Sequence, residues 1–337
     1  MLTELRERFP LGLMLSEEVT VTSDADGTFT FHGARGFRLH GADRGLASWI
    51  RRLVSGVSWP ALDATPDPRP EILGELAVRG MLVAKPPSVE PGQLTRQLRW
   101  LAHRSPLPEG AQAMISRHRA VILGCGGVGC LAAAHLAAMG VGELVLVDHD
   151  VVEITNFNRQ LTYRRADLGR PKAEALGDFV TDRYPATAVS SLNVFVDTRA
   201  ALEDHGLVGG QDTTLFCCAD RPAGALSALV ARAARERGTP VLFASAGLTE
   251  AAVGPLLTPD GTALFAEEMD QVAEAADRSV GDPIMGASLA PVNTMAAAWM
   301  VFAWLNGVIL RRPEETADRR LVLDLDPPGM HEERTWK

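Results

Sequence analysis

Ala120-Val121-Ile122-Leu123 runs directly into Gly124-Cys125-Gly126-Gly127-Val128-Gly129, an apolar stretch that breaks into glycine. An alanine-rich segment, Leu131 to Met139, follows and stops at Gly140, and Glu143-Leu144-Val145-Leu146-Val147 then ends on Asp148. The pattern predicts strand, glycine loop, helix and strand, with an acidic residue 24 positions after the first glycine, as in a dinucleotide-type βαβ unit. Glycines let the backbone approach phosphates, and the amides opening a helix lack intrahelical partners and favour an anion. Gly124, Gly126, Gly127 and Gly129 are therefore expected at phosphates, and the Asp148 carboxylate at ribose hydroxyls.

A glycine loop alone fits many nucleotide sites, so the residues that follow decide the chemistry. Asp148-His149-Asp150-Val151-Val152-Glu153-Ile154-Thr155-Asn156-Phe157-Asn158-Arg159-Gln160 carries a second acid, side-chain amides and an arginine. Gly169-Arg170-Pro171-Lys172 then sets a lysine at a helix start, with Pro171 suited to the first turn. Cations beside a nucleotide loop direct the chemistry to phosphate rather than to a nicotinamide.

These stretches resemble the MoeB/ThiF family, related to the ubiquitin-activating enzymes, from about Leu94 to Leu325. The resemblance implies an α/β fold with a Rossmann-like adenylation domain that uses Mg-ATP to adenylate a carboxylate and releases pyrophosphate. By matching positions it implies that Asp148 holds the ribose, with Asp150 also at the nucleotide. Asn156, Arg159, Gln160 and Lys172 would surround the triphosphate, and Asp220 would bind magnesium. Thr95-Arg96-Gln97 resembles a motif whose arginine reaches the ATP site of the partner subunit, so a homodimer is implied, with Arg96 acting in trans. Arg96, Arg159, Lys172 and magnesium would offset the repulsion between attacking carboxylate and phosphates, and no strong general base is needed.

The chain departs from the family in three places. Pro259 to Ser288 contains no cysteine, so the zinc site of many relatives is not expected, nor is a thioester or persulfide cysteine. Arg221-Pro222 follows Asp220 where the family has Asn, and His149 stands where it has a bulky residue such as Phe. Ser245 to Gly254 resembles the strand-end loop that faces a bound polypeptide tail, and Met285 to Leu310 the closing helix.

Residues 1–85 read as a small winged-helix-like α+β domain, 86–113 as a linker with an arginine-bearing helix, and 114–337 as the adenylation domain. Alternation at Glu18 to Thr22 and Thr28 to Phe31 around Asp24-Ala25-Asp26-Gly27 predicts a hairpin, and Phe37-Arg38-Leu39 a third strand. Leu46, Trp49, Ile50 and Leu53 recur at helical spacing, Pro60 to Pro70 reads as a loop, and a second helix closes near Gly80. The unit resembles the PqqD-like recognition element of enzymes that modify ribosomally made peptides. That implies a leader peptide docking as an edge strand, with part of the Leu46–Leu53 stripe lining its groove. DNA binding is disfavoured, since residues 1–90 hold 10 basic and 12 acidic residues. A dimerisation cap is the other reading.

Across all 337 residues, 33 basic against 42 acidic residues give net charge −9, which disfavours coating nucleic acid. The N-terminus is charged and lacks a signal-peptide core. Met295 to Leu310 is apolar over 16 residues, short of the roughly 20 a membrane helix needs, so it reads as a core helix. Cys125, Cys130, Cys217 and Cys218 form no CxxC pair and read as packing residues in a reduced, cytoplasmic protein. The expected function is adenylation of a carboxylate on a ribosomally made precursor peptide bearing a leader. The alternatives are activation of a ubiquitin-like sulfur carrier and a scaffold with a degenerate nucleotide site.

Overall fold

The computed structural model describes every residue except 42, 44, 88–91, 211, 281–286, 314 and 337. Two units divide the chain, Met1–Ala113 and Met114–Lys337.

In the first unit, α1 (Leu2–Arg8) precedes β1 (Leu13–Leu15), β2 (Thr20–Ser23), β3 (Phe29–His32) and β4 (Phe37–Leu39). Helices α2 (Leu46–Ser55), α3 (Trp59–Asp63) and α4 (Pro70–Val78) lead to β5 (Leu82–Ala84), then α5 (Thr95–Ala102); α6 (Pro108–Arg117) carries the boundary between the units. β2, β3 and β4 pair antiparallel in that order, as the alternating residues predict. β1 and β5 form a separate antiparallel pair whose residues are all buried; without a polar face they leave no alternation to read. Two expectations are corrected here. Pro60 sits in the first turn of α3, so the loop starts only after Asp63. Leu46, Trp49, Ile50 and Leu53 are 0%, 6%, 6% and 1% exposed and all belong to the core with Phe31, Leu73 and Leu76, so none lines a groove.

The second unit is built on one eight-stranded sheet. Its elements are β6 (Arg119–Leu123), α7 (Gly127–Ala138), β7 (Glu143–Val147), α8 (Lys172–Arg183), β8 (Ala188–Leu192), α9 (Arg199–Asp204), β9 (Thr213–Cys217) and α10 (Ala225–Arg237). Then come β10 (Val241–Ala246), β11 (Glu250–Leu256), α11 (Pro259–Asp277), α12 (Ala290–Trp304), β12 (Arg319–Leu325) and β13 (Pro328–Thr335). The strand order is β13-β12-β11-β10-β9-β6-β7-β8, parallel from β10 through β8 and antiparallel from β10 to β13. Ala120, Val121, Ile122 and Leu123 are at most 3% exposed, as a parallel strand covered on both faces requires. α7 starts at Gly127, four residues before the predicted Leu131, because the glycine loop itself forms the first turn.

α12 runs on through a π-helical turn to Ile309, making a 20-residue helix long and apolar enough to cross a membrane. Length therefore does not exclude a span. What marks it as a core helix is packing: Ala296, Ala297, Met300 and Trp304 are fully buried, and Trp304 meets His118 and Phe216 edge-on. Of the segment compared with the closing helix, residues 285 and 286 lie outside the described residues.

Candidate active site

The strand order reverses between β6 and β9, with β7 and β8 on one side and β10 on the other. At such a switch point the connections part and leave a crevice beyond the carboxyl ends. Leu123 is in register with Val147 and with Cys217, so Gly124, Asp148 and Cys218 leave the sheet at one level. A cleft of about 930 Å3 opens there.

The glycines divide the work. Gly124 holds φ +93° and abuts the next strand end, where a Cβ would come 2.7 Å from the Ala219 nitrogen. Gly126 faces open space, and Gly127 begins α7, whose first amides have no helical acceptor. These three line the cleft. Gly129 is not among the lining residues: a Cβ on it would lie 1.8 Å from the Gly124 carbonyl oxygen, so it is a close-packing glycine.

Asp148 is 9% exposed, and its two carboxylate oxygens accept from Cys125 N–H (2.6 Å) and Asp150 N–H (2.8 Å). It thereby ties the glycine loop to the loop after β7, and each oxygen keeps a lone pair for a further donor. Asp150 N–H and C=O continue the path: Lys172 N–H donates to Asp150 O, and Val152 exchanges backbone bonds with Gly169 and Arg170. This short zipper sets Lys172 opposite Asp150, with Nζ 2.9 Å from Oδ2 and the lysine side chain only 9% exposed. Partial burial pushes the Asp150 carboxyl up, but the hydrogen bond and charge of Lys172, helped by His149 and Arg221, outweigh it and hold it below the ordinary carboxylate value. Buried Asp167 braces the zipper through Arg170 at 3.0 Å.

Arg159 and Gln160 line the cleft, while Asn156 is not among the lining residues. Asn156 is 5% exposed and its Oδ1 accepts from Glu153 N–H in a capping box, so it shapes the loop instead. Gln160 is 2% exposed, with an Oε1 that has no hydrogen-bond partner among the described residues. Asp220 lines the cleft from the segment after β9, and is exposed. Arg96 is exposed on α5 of the first unit, where neighbouring Gln97 donates to Gln112 at 2.6 Å.

Other lining residues carry no motif. Asn293 of α12 lies against Gly127, with its Oδ1 2.1 Å from where a Cβ would stand. Phe195, 43% exposed, meets the His149 ring edge-on at 4.6 Å. Arg320 and Arg334 enter from β12 and β13, paired with Glu333 and Glu268. These residues converge only through the tertiary fold, which local spacing does not record. Among the described residues one group could hold a metal, Asp148, His149 and Asp150, whose ligand atoms lie within 4.8 Å of one another. Cys125, Cys130 and Cys217 are buried and Cys218 is partly covered. Burial pushes the Cys130 thiol up to about 11 and Cys217 to about 12, and raises Cys125 and Cys218 well above the ordinary thiol value.

The profile of the ThiF family matches residues 95–334. The SAMP-activating enzyme E1 of Haloferax volcanii is 39% identical over 128 residues, which are 38% of this chain and 46% of that protein. The adenylyltransferase and sulfurtransferase MOCS3 of Mus musculus is 36% identical over 212 residues, 60% of this chain and 40% of that protein. The chain thus matches less than half the length of these curated relatives. E. coli MccB with AMPCPP and MccA has the same fold, with TM-score 0.74 at 20% identity over 97% of this chain and 98% of MccB. The microcin C7 biosynthetic enzyme MccB with N-formylated MccA gives 0.72 at 19% identity over 97% and 98%.

Proposed function

Because this chain belongs to the ThiF family, we propose that it is an ATP-dependent adenylyltransferase acting on a carboxylate of a ribosomally made precursor peptide. The cleft suits the nucleotide. Gly126 leaves open space at the start of α7, Asp148 retains acceptor capacity, and the buried Gln160 Oε1 lacks a donor that a bound nucleotide or its hydration would supply. Asp220, with the Asp148–His149–Asp150 group, offers the carboxylate oxygens that magnesium takes. Magnesium, when bound, neutralises phosphate charge.

The chain's own part is positioning and charge. Lys172 and Arg159 stand ready at the triphosphate, and α7 points its first amides at the phosphates. The attacking carboxylate is already ionised, so no base must remove a proton. Pyrophosphate departs against the same cations. Arg96 completes the set from the partner chain of a homodimer.

The observation that carries the peptide reading is coverage. The fold shared with MccB extends through the first unit, over 97% of this chain, whereas the curated relatives match 38% and 60%. MccB is a biosynthetic enzyme bound to MccA in that structure. In the first unit, β2 and β4 each have a strand neighbour on one side only among the described residues, which leaves edges for a leader peptide to join. The core position of the α2 stripe makes backbone pairing at an edge the main contact.

The names of the curated relatives favour a second reading, activation of a ubiquitin-like sulfur carrier. The four thiols, three buried and one partly covered, are all pushed up by burial, which does not suit a thioester or persulfide step on this chain, so this reading would stop at the adenylate. Incubation with Mg-ATP and the peptide encoded beside the gene, followed by pyrophosphate release and mass spectrometry, separates the two. Adenylation of the peptide but not of a sulfur carrier is expected; the reverse overturns the peptide reading.

A further inference from the structure

We propose that Asn158 is a positioning residue that holds the Arg159 guanidinium over the glycine loop and fastens it to the start of α12; this rests on the adenylyltransferase reading of the cleft. Asn158 itself is exposed and does not line the cleft. Its amide makes two contacts of opposite polarity. Oδ1 accepts from Arg159 Nη1 at 2.9 Å, and Nδ2 donates to the Ser288 carbonyl oxygen at 2.9 Å. Only this orientation satisfies both, since the swapped amide would set N–H against guanidinium and oxygen against oxygen.

The two contacts belong to a closed circuit. Arg159 Nη1 also donates to the Thr155 carbonyl at 3.0 Å, and the Arg159 side chain lies across Gly127, its Cδ 3.4 Å from where a Cβ would stand. Asn293 presses on the same point and donates to Ser288 Oγ at 2.8 Å and to the Leu289 carbonyl at 2.8 Å. Asn158 closes the ring from Arg159 through Ser288 and Asn293 back to Gly127. An arginine stem free in solvent samples many rotamers; clamped at Nη1 by two carbonyl-type acceptors, it presents its remaining N–H groups in one direction. That direction is useful only if an anion extends past the start of α7, as the outer phosphates of ATP would.

Nucleotide titration tests this without any acyl substrate. AMPCPP with magnesium probes the triphosphate, and AMP probes the part of the site that Arg159 does not reach. Asn158→Ala is expected to weaken AMPCPP binding about tenfold, the loss of one charge-assisted hydrogen bond, and to leave AMP within about twofold. Equal weakening of AMPCPP and AMP would mean a merely structural role and overturn the inference, as would AMPCPP binding by Asn158→Ala at the wild-type level. Failure of the unaltered protein to bind AMPCPP would instead overturn the adenylyltransferase reading beneath it.

Discussion

Replacing Gly129 with alanine should destabilise the second unit, whereas replacing Gly126 should spare the fold and weaken nucleotide binding. The two positions differ in what a methyl group meets. On Gly129 it would lie 1.8 Å from the Gly124 carbonyl oxygen, 2.9 Å from its carbon and 3.3 Å from Cys218 Cβ. Ordinary contacts are about 3.5 Å, so helix and strand end must part by more than an ångström, and both are core elements. Such overpacking costs about 3 kcal/mol or more, and alanine's helix propensity returns only about 1 kcal/mol. At roughly 2–4 °C per kcal/mol for a unit this size, a net 2 kcal/mol lowers Tm by roughly 4–8 °C. On Gly126 the methyl meets nothing within 4 Å, and φ is −74°, which any residue adopts, so stability should change by less than about 1 kcal/mol. It would, however, occupy the space over the first turn of α7. Losing two charge-assisted contacts there, at about 1.5 kcal/mol each, weakens ATP binding about a hundredfold. Differential scanning calorimetry and AMPCPP titration read the two effects separately. Wild-type affinity in Gly126→Ala would remove the phosphates from this loop, and an unchanged melting temperature in Gly129→Ala would refute the packing argument.

Lys172→Ala and Asp220→Ala should each lower peptide-dependent pyrophosphate release by about a hundredfold or more while leaving circular dichroism unchanged; near-wild-type turnover in both would undo the assignment. Mixing inactive Arg96→Ala with inactive Asp220→Ala should restore part of the activity through mixed dimers, and absence of recovery despite demonstrated subunit exchange would end the trans role of Arg96. Asp150 titrates below its ordinary value because Lys172 holds it, so its contribution to stability is present above the ordinary carboxylate value and is lost as pH falls through the lowered one. Lys172→Met should therefore raise the Asp150 titration midpoint seen by NMR, and an unmoved midpoint would show that the pair does not form in solution.

The parts of this molecule that were legible in its sequence are those whose physics is local. The β6–α7–β7 unit, the hairpin of β2 and β3, and the lysine after Pro171 each follow from neighbours within a few residues. Roles set by direction or by distant partners were not. Asn156 and Gln160 sit four apart in one loop, yet only Gln160 lines the cleft, because Asn156 is consumed by the Glu153 amide. Spacing cannot tell which of two amides the backbone will claim. Gly129 reads as a phosphate glycine from its motif and proves to be a packing glycine once α7 is laid on Gly124. The resemblance put part of the α2 stripe in a groove, but the hidden β1–β5 pair and Ala102 of α5 enlarge the core enough to absorb it. For α12 the apolar run understated the helix at its start, since Ala290-Pro291-Val292-Asn293-Thr294 is helical without being uniformly apolar.

Four of the cations that line the cleft share a feature that would bear on rate. Lys172 is held by Asp150, Arg159 by carbonyl oxygens of Thr155 and Asn158, Arg320 by Glu333 and Arg334 by Glu268. Each is therefore oriented before any phosphate arrives, and the ordering entropy of a long side chain is met in folding rather than at the reaction step. The acids also restrain like-charge repulsion among cations gathered at one end of a sheet. An adenylating site needs this arrangement more than a hydride-transfer site does, because its difficulty is the approach of one anion to another. With the carboxylate already ionised and pyrophosphate as the leaving group, what remains for the protein is to hold positive charge where negative charge collects. In the adenylyltransferase reading proposed above, that is the task of the residues at the β6–β9 switch point.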